Sequence, residues 1–344
     1  MSTPKCDLQE VDSTDISVII QGPTLCDPGN INSKFYKCVE SIRQFLPDAE
    51  IIVSTWEGQA CDPAIVEKVV FNEDPGAMTL LTGQISNYNR MVASTLSGLR
   101  NANRTYSLKF RADLTITGTS FFKSKIPPSS NEVARYRIFK RPITISNIFV
   151  RNPASHAPLL FHTSDIVQFG LTEDLLDLWN RSHLSEDKIR REVTPWSGIH
   201  FLGYTGLRMV SEQTLMTDWL NDHGHEIHLP FPDFLSDDYC ELSERTLSAN
   251  FYVINYKKSD ISYPARLLSD KRLLKSIYDA EYVNELSTLY AQKSFRSRRR
   301  RQIFFSAVML RPFRMSFWID FFATILLKAS PRAFIYTSRL WRSI

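Results

Sequence analysis

A chain of 344 residues with 43% hydrophobic and 23% charged residues can build a real core, which excludes intrinsic disorder for its body. The formal net charge of +4 divides into −6 over residues 1–295 and +10 over residues 296–344, where eleven Lys/Arg stand against a single acid, Asp320. No apolar run approaches the roughly 18 residues of a standard spanning helix, and Met1–Asp15 has neither the basic nor the apolar region of a secretory leader. Five cysteines (Cys6, Cys26, Cys38, Cys61 and Cys240) form no close pair, a usage that suits a reducing compartment.

In chain order, Ile16-Ser-Val-Ile-Ile20 is a short β-branched run stopped by Gln21-Gly22-Pro23, the pattern of a buried parallel strand. Ser33–Phe45 follows with helical spacing of Phe35, Val39 and Ile42, and Pro47 ends it. Glu50–Ser54 and Lys68–Phe71 are the next strands, Asn87–Ala102 the next helix, and Tyr106–Phe110 a fourth strand. Strands alternating with helices over about 110 residues predict a parallel sheet flanked by helices. Further on, Ile143–Val150 reads as a strand, Leu171–Asn180 and Ser211–Leu220 as helices, Pro230–Phe234 as a loop and Leu267–Tyr290 as one long helix.

Ligands of open parallel sheets bind outside the carboxyl ends of the strands. Four strands here end in polar clusters: Gln21–Thr24, Thr55-Trp56-Glu57, Asn72-Glu73-Asp74 and Arg111-Ala112-Asp113. Converging on one crevice, they would offer amides, carboxylates and a cation, a set that suits a nucleotide. Neither the dinucleotide glycine fingerprint nor the phosphate-binding loop of NTPases is present. A nucleotide-sugar site stays open, because a carboxylate-bound Mn²⁺ or Mg²⁺ can hold a diphosphate without a glycine loop. Asp113 is placed for such an ion.

These blocks also carry a resemblance. Ile16–Pro23, Ser41–Pro47, Ile51–Gly58, Asn72–Gly76, Asn87–Arg90 and Lys109–Asp113, in that order, resemble the WavE lipopolysaccharide-synthesis family. The resemblance is strong over residues 15–120 and weaker to about 235. It implies a GT-A-like, Rossmann-like α/β fold and a glycosyltransferase of the hexosyl-transferring, nucleotide-sugar-dependent kind. Carried over residue by residue, it implies that Gln21, Gly22 and Pro23 line the nucleotide, and that Glu57 and Asp74 hold base or ribose. Asn89 and Arg90 would open the helix before the fourth strand, with Arg90 reaching the diphosphate. Arg111-Ala112-Asp113 stands in the place of the Asp-x-Asp metal motif that the resemblance implies, with Arg111 in place of the first carboxylate. Either Asp113 holds the metal, or Arg111 neutralises phosphate without one.

Two carboxylates are candidates for the base that takes the acceptor proton: Glu212 at a helix start, and Asp165 after the apolar run Pro158–Phe161. Asp165 could equally bind the donor sugar or cap a helix. His223, His225 and His228 alternate poorly for a zinc site. Trp196, with Ser197-Gly198 and Tyr204, reads as core or as a stacking surface for sugars.

Arg296 and Arg298–Arg301 precede two apolar stretches, Ile303–Leu310 and Met315–Leu327. In the second, Phe317, Phe321 and Ile325 share a helical face with Trp318 and Phe322. Too short to span a bilayer, such a segment can lie in its interface, drawn by the arginines to anionic lipid. The aromatic content argues against nucleic acid as the partner.

The expected organisation is a mixed, mainly parallel sheet flanked by helices in a domain over residues 15–290, with a nucleotide half at 15–120 and an acceptor half at 121–290. An amphipathic, membrane-docking extension would fill 291–344. The expected activity is sugar transfer from a nucleotide-diphosphate sugar to a lipid-linked or lipopolysaccharide glycan, at the cytoplasmic face of the inner membrane. The rivals are a nucleotidyltransferase and a non-catalytic scaffold of a polysaccharide assembly complex.

Overall fold

The structure is a computed structural model that describes residues 8–24, 33–80, 85–125, 131–191, 206–269, 271–330 and 332–334. Trp196, Ser197, Gly198 and Tyr204 lie outside the described residues. A seven-stranded sheet forms the centre: β1 Ile16–Gln21, β2 Glu50–Trp56, β3 Lys68–Asn72, β4 Tyr106–Arg111, β5 Ile143–Ser146, β6 Gln168–Leu171 and β7 Phe251–Ile254. The strands lie in the order β3-β2-β1-β4-β6-β5-β7. All neighbours pair in parallel except β6, which runs antiparallel to both β4 and β5. Six of the seven strands therefore point the same way and bring their carboxyl ends to one edge.

The four first-half strands form where the β-branched runs predicted them. β1 and β2 are buried on both faces, which is why they read as continuous rather than alternating runs. Ile16, Val18, Ile20, Ile51 and Val53 pack to one side, with α1 (Lys34–Phe45). Ile19 and Ile52 pack to the other, with α2 (Tyr88–Leu99), α3 (Thr172–Trp179), α4 (Ser211–Asp222), α5 (Asp237–Asn250) and α6 (Ala280–Tyr290). The close approach of α2 to β1 depends on Gly98, where an added Cβ would come within 2.2 Å of the Ile19 methyl Cγ2.

One predicted element ends early and another is interrupted, each for a local reason. The strand expected over Ile143–Val150 stops at Ser146. Asn147 still donates its N–H to Ile254, but Phe149 adopts φ 67° and turns the chain away. The helix expected over Leu267–Tyr290 is broken into Ala265–Leu268, Lys271–Leu274 and α6. Ile277 bridges to Arg151, and Asp279 caps α6 by accepting from the Tyr282 N–H. The sequence reading missed α5, β6 and β7 altogether.

Beyond α6 the chain continues as α7 (Lys293–Phe304), a π-helical turn at Phe305–Met309 and α8 (Met315–Ala329). No helix among the described residues is long and apolar enough to cross a membrane. Cys38, Cys61 and Cys240 carry free thiols.

Candidate functional site

The sheet order reverses between β1 and β4, the switch point at which open α/β sheets form their crevice. Gln21 ends β1 and Arg111 ends β4, paired in register across the two strands. Gln21 is buried, and its Oε1 accepts from the Ser94 hydroxyl of α2 at 2.9 Å. Gly22 follows at φ 100°, a conformation that favours glycine, and its N–H donates to the Ser54 carbonyl. Pro23 stands exposed beyond it. Asp113, two residues past Arg111, accepts from the Arg111 Nε at 3.1 Å on one oxygen and from an Arg266 guanidinium nitrogen on the other.

Glu57 is exposed after β2, with its backbone N–H held by the Asn72 carbonyl. Asp74 and Arg90 form a two-point ion pair, Nε to Oδ1 at 2.7 Å and Nη2 to Oδ2 at 2.5 Å. The Arg90 bond and the Gly76 N–H hold the Asp74 carboxyl below the usual carboxylate range. Asn89 clamps a distant loop, donating to the Leu184 carbonyl and accepting from the Leu184 N–H.

The two carboxylates proposed for chemistry come together. Lys109 and Arg111 face the same side of β4, because alternate residues of a strand share a face. The antiparallel β6 places Gln168 opposite Lys109, so the loop that enters β6 lies beside the end of β4. That loop carries Asp165. The Lys109 ammonium is fully buried, donates to the Asp165 main-chain carbonyl and stands 3.6 Å from the carboxylate. It also lies 4.8 Å above the Trp179 ring. Burial pushes the Lys109 pKa down to about 8, with Asp165 opposing the shift and Arg111 adding to it.

Glu212 reaches the same cluster from the first turn of α4. Burial, and then the charge of Asp165, push its pKa up to about 7, while Arg151 and Lys109 oppose the rise. Gln213 fixes this helix start by donating to the carbonyls of Leu160 and Pro232, each at 2.9 Å. His162 Nε2 lies 3.7 Å from the Glu212 carboxylate. Burial and the nearby Arg151 push the His162 pKa down to about 3, so the ring is neutral at pH 7 and this contact is not an ion pair. Arg151 is buried and donates to the Ser276 hydroxyl at 2.5 Å.

Two residues beside this cluster hold positive φ without being glycine: Phe149 at 67° and Phe161 at 53°. Each such conformation costs on the order of 1 kcal/mol or more, and strain of this kind concentrates at functional sites. Ser164, next to Asp165, is fully buried, and its hydroxyl has no hydrogen-bond partner among the described residues.

The arrangement brings a carboxyl group whose pKa is raised to about 7, a second carboxylate, Lys109 and Arg111 to the carboxyl edge of the sheet. Glu212, Asp165 and Arg111 are candidates the sequence offered, and the structure brings them together. Sequence reasoning missed Lys109, which sits inside a quoted motif but looks like an ordinary strand residue. It also missed Arg151 and Arg266, which no local pattern marks.

The residues fit a resident divalent cation poorly. Asp113 has an arginine on each oxygen, and no group of three His, Cys, Asp or Glu among the described residues is arranged to hold a metal. An ion at Asp113 would have to displace at least one guanidinium.

The fold and site define a mixed α/β protein whose charged groups converge at the switch point of a mainly parallel sheet. The chain belongs to the WavE lipopolysaccharide-synthesis family, whose model matches residues 16–317. That match extends through the arginine run and into α8. No curated protein matches the chain.

Proposed function

We propose that this protein is a GT-A-like glycosyltransferase, transferring a sugar from a nucleotide-diphosphate sugar to a lipid-linked glycan in lipopolysaccharide synthesis. The observation that carries the reading is the meeting of Glu212, Asp165 and Lys109 beside Arg111, at the edge where such sheets bind ligands. In this reading Gln21, Gly22, Pro23, Glu57 and Asp74 surround the nucleoside. Arg90 and Arg111 face the diphosphate, and Arg266 holds Asp113 beside them. Glu212 takes the proton of the acceptor hydroxyl as that oxygen bonds to the anomeric carbon and the bond to the diphosphate breaks. The guanidiniums neutralise the leaving diphosphate, a task that requires donors aimed where charge develops. Asp165, held by Lys109, positions the donor sugar. Family membership and an acceptor carried on lipid support action at the cytoplasmic face of the inner membrane.

The test is a thermal-shift series with UDP, GDP, CDP and CMP, each with Mn²⁺ and with EDTA. A ligand that binds only the folded state raises the midpoint once its concentration exceeds its dissociation constant. A rise with one nucleoside diphosphate that persists in EDTA is expected. A rise only with Mn²⁺ would make Asp113 a metal ligand. No rise with any nucleotide, from folded protein, would overturn the transferase and favour a scaffold.

A further inference from the structure

Twelve large apolar side chains are exposed among the described residues, and ten of them lie between Phe304 and Ile325. Scattered exposed hydrophobics are ordinary, but a single concentrated patch marks a binding surface. On α8 the exposed large apolar residues are Met315, Trp318, Ile319, Phe322 and Ile325, spaced along one helical face, whereas Thr324 and Leu327 turn inward. A helix on a soluble protein normally buries its apolar face. Here the most apolar stripe points outward, and it differs from the sequence expectation, since Phe317 and Phe321 are half-buried. Phe304, Phe305, Val308, Met309 and Phe313 are also exposed, on the segment that precedes α8, Phe313 being 86% exposed, while Phe304 and Val308 line a cleft with Glu241 and Arg300.

We propose that this face docks on the surface of an anionic lipid bilayer. Three observations select that occupant. The segment 296–344 carries +10, and Arg298 and Arg301 are exposed on α7 beside the patch. The α8 helix, at about 1.5 Å per residue, is roughly 22 Å long, too short to cross a hydrocarbon core of about 30 Å but suited to lie in its interface. The Trp318 indole N–H already donates to the Pro312 carbonyl at 2.9 Å, so its ring can enter lipid without a stranded donor. A second copy of the chain would bring two strongly basic tails together and be repelled.

The patch is tied to the elements that carry the site. Arg299 of α7 is buried against Glu244 of α5 at 2.6 Å. Arg311 pairs with Asp233 at 3.2 Å. Asp233 follows Pro232, whose carbonyl is held by Gln213, the neighbour of Glu212. The inference rests on the proposed function only for the lipid-linked nature of the acceptor.

The test is co-sedimentation of the full chain with vesicles of phosphatidylcholine alone and of phosphatidylcholine with one quarter phosphatidylglycerol. Binding to the anionic vesicles is expected, at least about tenfold weaker on the neutral ones and about tenfold weaker for R298E/R301E. W318E/F322E should lose binding while its circular dichroism shows a folded chain, both side chains being exposed. Wild-type protein that stays in solution with anionic vesicles would overturn the proposal, as would a W318E/F322E variant that still sediments. A dimer in solution that W318E/F322E dissociates would also overturn it, assigning the patch to a second copy. The nucleotide-shift series uses no lipid, so failure of the transferase reading is read separately.

Discussion

The Lys109 ammonium stands 3.6 Å from the Asp165 carboxylate, and Lys109 is wholly buried. A buried charge requires a partner, and removing one member of such a pair leaves the other uncompensated. Lys109→Met should therefore destabilise the protein by about 3 kcal/mol. Asp165→Asn should do the same to a smaller degree, since the Asp165 carbonyl remains. The double variant should lose less than the sum of the two. Urea denaturation of all four proteins measures that coupling. Simple additivity would mean that the two residues do not act as a pair.

Glu212 gives a pH prediction with a definite sign. Its folded pKa of about 7 lies above the ordinary 4.5, so a base at this position becomes active as pH rises through about 7. If Glu212 is the base of the proposed sugar transfer, kcat/KM should climb through that range and level off above it. Glu212→Gln should lower kcat by about 10²–10⁴-fold and abolish the climb. Stability follows the opposite direction. The folded state binds more protons than the unfolded state between about pH 4.5 and 7, so this group's contribution falls as pH rises across that window. His162, depressed to about 3, works the other way and favours folding increasingly from about pH 3 to 6.5. Glu212→Gln should thus make stability rise more steeply between pH 4.5 and 6.5. An unchanged slope would contradict the burial of this carboxylate.

The first half of the fold was legible because its strands are short β-branched runs closed by turn residues, and its helices carry apolar positions at helical spacing. What escaped was structure without such a signature. β6, Gln168–Leu171, is four residues with a glycine, and its place follows from pairing with β4 rather than from its own pattern. α5 begins with Asp237-Asp238 and buries Glu244 and Arg245, so its inward face does not read as apolar. The site was legible in its carboxylates, which lie near helix starts and strand ends. Of its cations Arg90 and Arg111 were legible, at a helix start and a strand end, whereas Lys109, Arg151 and Arg266 are placed only by contacts between distant segments.

The Arg90–Asp74 pair separates structural from ligand roles. Both side chains are about one-third exposed, and an exposed ion pair contributes at most about 1 kcal/mol. Arg90→Ala should leave the melting temperature within a few degrees of wild type. If Arg90 meets the diphosphate, the same variant should weaken nucleoside-diphosphate binding by about tenfold or more, since a charge-assisted contact is worth about 1.5–3 kcal/mol. Isothermal titration of Arg90→Ala beside Asp74→Ala distinguishes the cases. Equal and small losses in both would confine Arg90 to holding the loop.

Arg299 shows that the basic run is not uniformly a surface feature. Its guanidinium and the Glu244 carboxylate are both almost fully buried. Glu244 also accepts from the hydroxyls of Tyr278 and Tyr290, and Arg299 donates further to Asn152 and Gln302. Neutral donors gather around the Glu244 carboxylate and neutral acceptors around the Arg299 guanidinium. Arg299→Met should therefore cost about 3–5 kcal/mol by leaving Glu244 buried and unpaired. Tyr290→Phe, which removes one donor and keeps the ring, should cost about 1–2 kcal/mol. Arg298→Ala and Arg301→Ala lie on the exposed side of the same helix and should change stability by no more than about 0.5 kcal/mol. Denaturation of the full chain measures all four. Equal effects across the run would mean that α7 is not anchored through Arg299, and that the docking face is not rigidly joined to the body that carries Glu212.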